Sequence, residues 1–221
     1  MKKVLIVIGV IVILLVAVAA IVTVVFKDDI KVAVDKALAE SVNADIVWDA
    51  EDFSLSLFSN FPNATAGLNN FGILNRAPFE GEILFAVQEL EVEVDLFSLF
   101  GDQIKINGII LNTPEVNIKV LEDGSANYDI AVPSEDTTVI EPTASTEATA
   151  FNIGIDHWEI IDGHIVYDDA SLPFKLELNH VQHNGSGNLN QDVFDLNTFT
   201  RADSVTVVFD GIEYVSNKTL E

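Results

Sequence analysis

Residues 90–96 read LEVEVDL, and this stretch decides the fold that we expect for the chain. Apolar side chains alternate with carboxylates, and side chains two positions apart lie on the same face of a β-strand. The stretch therefore predicts a strand with one apolar face and one acidic face. The same alternation recurs at Phe53, Leu55 and Leu57; Ile83, Phe85 and Val87; Ile104 and Ile106; Val116, Ile118 and Val120; Phe151, Ile153 and Ile155; Ile165 and Tyr167; Phe174, Leu176 and Leu178; and Val205, Val207 and Phe209. We expect a mainly β protein built from an antiparallel sheet.

Residues typical of turns separate these segments and set the boundaries of the expected strands. Asp210-Gly211 lies between two apolar segments and is the strongest hairpin signal. Pro114 lacks an amide proton, so we expect it to begin a strand or to lie on an edge strand. The turn signals are 60–63 (NFPN), 75–78 (NRAP), Gly101-Asp102, Thr113-Pro114, 122–124 (EDG), Asp162-Gly163 and Asp210-Gly211.

The N-terminal region predicts a membrane anchor. The run from Val4 to Phe26 contains 23 residues and no charged side chain. A helix of this length spans about 34 Å, enough to cross a hydrocarbon core of about 30 Å. Lys2 and Lys3 precede the run and an acidic pair follows it. This order predicts a cytoplasmic N-terminus and an extracytoplasmic location for the rest of the chain.

Two other interpretations of the apolar run remain open. The first is a signal peptide cleaved after Ala19, because Ala17-Val18-Ala19 resembles a small-residue cleavage site. The second is a buried core helix, which rarely lacks a polar face over so many turns. The continuation of the run to Phe26 favours an uncleaved anchor. Residues 28–44 then carry a narrow apolar stripe at helical spacing and predict a short amphipathic junction helix.

The composition limits the classes of function. The net charge is -24, from 35 acidic and 11 basic residues. This balance argues against nucleic acid as a partner, because such affinity depends on Lys and Arg that neutralise phosphates. The chain contains no cysteine, which excludes thiol catalysis and cysteine-ligated zinc.

The composition also changes along the chain and predicts five segments. Residues 133–150 are rich in Thr, Ser, Glu and Pro and contain few large apolar residues, so we expect a flexible linker there. The segments are the anchor (1–27), the junction helix (28–44), a first β segment (45–132), the linker (133–150) and a second β segment (151–221). The chain ends soon after the last hairpin, so we interpret the second β segment as truncated.

No pattern typical of a catalytic or metal site emerges. His180 and His183 have a spacing that suits a metal site on a helix, but the stretch resembles a strand, where positions three apart face opposite sides. Asp168-Asp169 and Glu122-Asp123 lack the spacing of a calcium loop. We therefore expect no enzyme activity, no metal and no cofactor.

Four blocks in a fixed order carry a family resemblance. An anchor with a short helix comes first, and residues 49–73 then place Phe61-Pro62 between two strands. Residues 91–130 contain Pro114, the acidic turn Asp123-Gly124, and Asn127-Tyr128. Residues 158–169 read WEIIDGHIVYDD. This order resembles the N-terminal region of AsmA-like proteins, the envelope proteins of Gram-negative bacteria that include the TamB relatives; the family typically has Asn-Trp where this chain has Asn127-Tyr128.

The resemblance implies antiparallel strands curled into an open groove with an apolar lining. It also implies an inner-membrane protein with its bulk in the periplasm, which supports outer-membrane assembly by carrying phospholipid in the groove. The candidate groove residues are Phe53, Phe85, Val92, Val94, Ile106, Ile118, Ile153, Ile165 and Phe209. Two alternatives remain: the same side chains could form the core of a β-sandwich, and the protein could be a structural or scaffolding module that binds envelope proteins.

Overall fold

The computed structural model describes residues 31–32, 35–36, 41–98, 105–132, 156–187 and 195–221. Its nine strands form one sheet in the order β1-β3-β4-β5-β6-β7-β8-β9, and β2 also pairs with β3. The strands are β1 (Ala44–Val47), β2 (Phe53–Asn60), β3 (Asn63–Asn75), β4 (Ile83–Asp95), β5 (Ile106–Val120), β6 (His157–Asp169), β7 (Phe174–Ser186), β8 (Asn197–Phe209) and β9 (Ile212–Leu220).

The sheet is open and mainly antiparallel, which confirms the predicted mainly β class and corrects two details. All described strands belong to one sheet, so the β-sandwich alternative is wrong for this part of the chain. The pair β5–β6 is parallel, so the sheet is not purely antiparallel. The physical reason is the connection: residues 121–156 separate the two strands, and a parallel neighbour needs a long crossover instead of a tight hairpin.

Strands β1 and β2 share one edge of β3. Ala44 of β1 pairs with Asn75 near one end of β3, and Phe53 of β2 pairs with Leu68 nearer the other end. The interruption between them contains Trp48 and a short 3₁₀ turn, Ala50–Asp52. Asp49 caps this turn, because its carboxylate accepts a hydrogen bond from the Glu51 amide. Trp48, within this break, is 9% exposed and lines a cavity beside β3.

A buried asparagine ties the segment after β5 to the start of the sheet. Asn127 is 1% exposed; its amide donates to the Asn117 carbonyl at 2.7 Å, and its side-chain oxygen accepts from the Lys119 amide at 2.8 Å. The Asn75 amide donates to the Asn127 carbonyl at 2.6 Å. These bonds satisfy the polar groups that burial removes from water. They hold residues 126–131 close enough for Ala131 to form a β-bridge with Val42.

A row of residues crosses the sheet where the strand pairing is interrupted, and we call it the kink row: Asn70, Gln88, Thr113, Asp162 and His180, on β3 to β7. Four of them have a positive φ, with values of 53°, 53°, 57° and 53°; Gln88 does not. The pairs that flank the row place Asn70, Gln88 and Thr113 opposite one another, with Asp162 next to Thr113. Between β6 and β7 the register shifts on both sides of the Gly163–Val181 pair, and Asp162 and His180 flank that pair. A left-handed residue inside a strand interrupts the regular alternation and bends the strand. The apolar pattern steps by three residues at this row, from Leu68 to Phe71 across the left-handed Asn70 on β3. The paired strand β4 takes the same step, from Val87 to Leu90.

The kink row corrects three sequence predictions. Thr113-Pro114 and Asp162-Gly163 were expected to be turns, yet both lie inside long strands. Pro114 was expected at the beginning or edge of a strand, yet β5 pairs with β4 and β6 on its two sides. The left-handed Thr113 explains why Pro114 is tolerated inside a central strand. Its positive φ interrupts the hydrogen-bond ladder at the position where proline has no amide proton to donate. By contrast, the turns at 60–63, 75–78 and Asp210-Gly211 are confirmed.

Several N-terminal and linker predictions fall outside the described residues. They include the predicted span from Val4 to Phe26, the linker 133–150, and Ile153. Among the described residues, no helix is long and apolar enough to cross a membrane. Of the predicted junction helix 28–44, only residues 31–32, 35–36 and 41 are described as helical, and Ala44 already belongs to β1.

Replacing Thr113 by Asn tests the kink row. A β-branched residue with positive φ is strained, whereas Asn tolerates this conformation. We expect Thr113→Asn to raise the free energy of unfolding by about 1 kcal/mol, the cost of left-handed backbone, measured by urea unfolding of the full chain in detergent. Thr198→Asn is the control, because Thr198 lies in regular β8 backbone and Asn favours strands less. A variant at Thr113 that is no more stable than wild type contradicts the prediction.

Candidate functional site on the apolar face

One face of the sheet is lined by apolar side chains, and we call it the apolar face. Above the kink row, Phe85, Val116, Ile165, Leu178 and Val205 pair in sequence across five strands, β4 to β8. Directly paired residues project from the same face of a sheet. These five side chains therefore form an unbroken apolar row.

A second set of rows lies below the kink row. Ala66, Val92, Ile109 and Trp158 pair in sequence across β3 to β6. The adjacent row contains Leu68, Leu90, Leu111 and Ile160 on the same strands. Both rows are apolar on these four strands. The acidic residues of β4 project from the opposite face.

The rows above and below the kink row lie on the same side of the sheet. Phe71, above the row, lines one cavity together with Leu68, below it. A Cβ placed on Gly163 would lie 2.9 Å from the Ile160 side chain and 3.4 Å from Pro114. The three-residue step therefore preserves the apolar face instead of inverting it.

The structure places eight of the nine candidate groove residues on this face. Their pairing partners, such as Leu68 for Phe53 and Val94 for Ile106, belong to its rows. The eight are Phe53, Phe85, Val92, Val94, Ile106, Ile118, Ile165 and Phe209; Ile153 lies outside the described residues. Their role in binding a ligand stays a prediction.

A cavity of about 190 Å³ opens on the apolar face between β2, β3 and β4. Its walls are almost entirely apolar, which suits a hydrocarbon ligand. Sequence reasoning selected Phe53 and Val92 from this cavity but missed Trp48, Leu68 and Phe71. The local signal for Leu68 and Phe71 was the three-residue step between them in the apolar pattern of β3. The lining residues are Trp48, Phe53, Ala66, Gly67, Leu68, Phe71, Leu90 and Val92.

Trp48 is held at this cavity by two charged residues of the N-terminal region. Its indole N–H donates to the Asp35 carboxylate at 2.8 Å, and the Lys31 ammonium lies 4.5 Å from its ring centroid. Lys31 and Asp35 also form an ion pair at 2.9 Å. The hydrogen bonds from Lys31 and then from Trp48 lower the pKa of Asp35. The carboxylate stays ionised and keeps the indole ring in place.

A larger, open depression of about 460 Å³ is lined by residues of both faces, with Phe71 and Phe85 from the apolar face and Ala86 and Glu115 from the other. Val47, Leu74, Ile83 and Ala86 give it apolar walls, and Glu115 and His164 add polar groups. Among the described residues, the His164 Nε2 atom is buried without a hydrogen-bond partner, although the Glu177 carboxylate is 3.6 Å away. The charged groups make this depression less suitable for a hydrocarbon chain than the cavity beside Trp48.

The opposite face carries a ladder of carboxylates on β4: Glu89, Glu91 and Glu93. Glu93 is 7% exposed and accepts hydrogen bonds from the Asn60 amide at 2.7 Å and the Asn63 amide at 3.3 Å. Burial, and then repulsion from Glu89 and Glu93, raises the pKa of Glu91. A negatively charged Glu91 therefore opposes folding.

Replacing Glu91 by Gln measures this repulsion. A raised folded-state pKa means that ionised Glu91 destabilises the fold at neutral pH, and that this cost disappears as the pH falls below about 4.3, the ordinary glutamate value. We expect Glu91→Gln to raise the urea midpoint at pH 7 and to leave it unchanged at pH 3. Glu213→Gln on exposed β9 is the control. An equal effect at both pH values would show that charge is not the cause.

The histidines form separate contacts. His180 lies 2.6 Å from Asp162 through Nδ1, whereas His183 contacts Trp158 and Thr200. The two imidazoles therefore have separate partners. Within the described part of the chain, no group of three or more His or carboxylate side chains is arranged to hold a metal ion.

The His180–Asp162 contact links stability to pH. The hydrogen bond from His180 to Asp162 raises the pKa of His180, and the charges of Asp162 and Asp203 add to the effect. A raised histidine pKa means that the contact stabilises the fold fully below about 6.5, the unfolded value, and that this stabilisation is lost as the pH rises through the folded value.

We therefore expect an NMR titration to show the His180 midpoint above 6.5, the ordinary histidine value. Asp162→Asn should lower this midpoint, because Asn keeps the left-handed conformation but removes the charge. His157 provides an internal reference in the same spectra. An unchanged His180 midpoint in Asp162→Asn would refute the assignment.

Comparison with known proteins identifies the family. A family model described as "AsmA family" matches residues 1–190. The chain belongs to the AsmA family. This match confirms the resemblance drawn from the order of sequence blocks. Membership in the AsmA family indicates an envelope-associated function. No curated protein matches the chain.

Proposed function

We propose that this AsmA family protein carries phospholipid on its apolar face and thereby supports outer-membrane assembly. The observation that carries the proposal is a single sheet whose apolar face reaches from the cavity beside Trp48 to Val205 on β8. An acyl chain that covers this face gains about 0.8 kcal/mol for each methylene group removed from water.

The opposite face supports the same proposal through charge. Glu89, Glu91 and Glu93 exclude hydrocarbon from that side, because burying a carboxylate without a partner is costly. Lipid binding is therefore limited to one face.

The proposal includes a location. The apolar run from Val4 to Phe26 anchors the chain in the inner membrane, with the N-terminus in the cytoplasm and the sheet in the periplasm. In this arrangement, the residues that hold Trp48 lie directly after the anchor. The cavity beside Trp48 is then the part of the apolar face nearest the membrane. We propose no catalytic step and no cofactor.

A second candidate function is a structural module that binds envelope proteins. The observation that favours it is β9, which pairs with β8 and with no other described strand. An exposed strand edge offers backbone hydrogen-bonding groups to a strand from a partner protein. This function predicts specific crosslinks from β9 and no dependence on the apolar face.

Two adjacent residues of β4 separate these functions. Val92 lines the cavity on the apolar face, and Glu91 projects from the opposite face. We expect Val92→Lys to reduce bound phospholipid by roughly tenfold or more, because a charged group opposes contact with hydrocarbon. Glu91→Lys introduces the same side chain one position away and should leave bound phospholipid within about twofold of wild type.

Bound lipid is measured by native mass spectrometry and by lipid extraction of the full chain purified in detergent. Circular dichroism of both variants confirms that they are folded. Equal lipid content in the two variants, or no phospholipid on the wild-type protein, would contradict lipid carriage. Crosslinks from β9 that persist in Val92→Lys would then support the structural module.

A further inference from the structure

The apolar face changes character along β6, β7 and β8. Above the kink row, these strands present Ile165, Leu178 and Val205. Below it, the corresponding rows end in polar groups: Ile160 pairs with His183, and His183 pairs with Thr200. On β3 to β5 the same rows remain apolar to the end of the sheet. The face therefore has one polar corner, which we define as Trp158, His183 and Thr200.

The hydrogen bonds of the polar corner fix the state of His183. The Trp158 indole N–H donates to His183 Nε2 at 2.9 Å, and an indole nitrogen is a donor only. His183 Nε2 is therefore the acceptor, the ring is neutral, and Nδ1 carries the proton. Nδ1–H then donates to the Thr200 hydroxyl oxygen at 2.8 Å. The Thr200 hydroxyl keeps its own proton for donation to a ligand.

A glycine sets the position of the indole. Gly185 pairs with Trp158 across β6 and β7, and a Cβ at Gly185 would collide with the indole ring. The ring therefore lies against the β7 backbone. Its centroid is 6.4 Å from the His183 ring, with 28° between the planes. This arrangement combines an apolar ring surface with a polar edge, as tryptophan does at the boundary between hydrocarbon and water.

The distance from the polar corner to the cavity matches one lipid chain. Trp158 and Ala66 lie in one row on β6 and β3, separated by three strand spacings of about 4.8 Å, or about 14 Å. One leaflet of a hydrocarbon core of about 30 Å accommodates a chain of about 15 Å. A chain that starts beside Trp158 would therefore end at the cavity between Trp48 and Val92.

We propose that the polar corner binds the ester and phosphate end of a phospholipid whose chain runs along this row to the cavity. The inference rests on the proposed function and assigns an orientation to the bound lipid. The Thr200 hydroxyl donates to a phosphate or ester oxygen, and the Trp158 ring covers the first part of the chain. The lipid therefore lies across the strands, with its polar end toward β8.

The two tryptophans of the chain report this orientation, because each lies at one end of the row. Trp48→Phe leaves Trp158 as the only tryptophan, and Trp158→Phe leaves Trp48; excitation is selective for tryptophan over the three tyrosines. The full chain in detergent is loaded with one of two probes. One is a phosphatidylcholine brominated near the chain end, and the other is a phosphatidylcholine with a nitroxide on the headgroup.

We expect the ratio of headgroup-probe quenching to chain-end-probe quenching to be at least twofold higher for Trp158 than for Trp48. The ratio of headgroup-probe quenching to chain-end-probe quenching is compared between the two variants. The different intrinsic quenching efficiencies of the two probes then cancel. Equal ratios, or a larger ratio for Trp48, would overturn the orientation while bound probe still supports lipid carriage. Absence of bound probe would overturn both proposals.

A matched pair of threonines on β8 tests the polar corner itself. Thr200 contacts His183, whereas Thr206 lies on the other face of β8, opposite Glu177. We expect Thr200→Val to weaken phosphatidylcholine binding by roughly tenfold, the value of one hydrogen bond to a charged group, and to leave diacylglycerol binding unchanged. Thr206→Val should change neither. Equal losses for both lipids in Thr200→Val would overturn the role of the polar corner.

Discussion

Alignment of the kink row is the constraint on which the two-faced sheet depends. A strand alternates its side chains with a period of two, so an irregularity in one strand alone would exchange its faces relative to its neighbours. Beyond such a break, Glu89 and Glu91 would occupy the positions of Leu90 and Val92. Left-handed backbone costs about 1–2 kcal/mol for each residue, whereas burying a carboxylate without a partner costs more. The aligned irregularities are therefore the less costly arrangement.

The sequence was sufficient to predict those features that depend on local pattern. The alternation at 90–96 predicted a strand with an apolar and an acidic face, and Asp210-Gly211 predicted the last hairpin; both are confirmed. The order of sequence blocks also led to the AsmA family. These features need only a few consecutive residues, or a fixed order of such blocks.

Other features depend on contacts that a local pattern does not contain. Thr113-Pro114 has the composition of a turn, and only pairing with strands on both sides makes it part of β5. Parallel and antiparallel neighbours require the same period of two, so the pairing of β5 with β6 left no local signal. The step from Val87 to Leu90 was a signal, because it breaks the alternation by one residue. The polar corner was missed because Trp158, His183 and Thr200 are distant in sequence.

The same strands separate stability from binding. Three apolar side chains close to the kink row are almost fully buried: Val87, Val181 and Ala202 are 3%, 2% and 0% exposed. Their burial stabilises the folded state, since nearly all of their apolar surface is removed from water. By contrast, Phe209 is 47% exposed and retains surface that a ligand can cover. Burial near the kink row therefore supports the fold, while the apolar surface around it keeps exposed area that a ligand can cover. A polar substitution on that surface would remove contact with the proposed lipid while leaving the kink row intact, so affinity can be lost without loss of the fold.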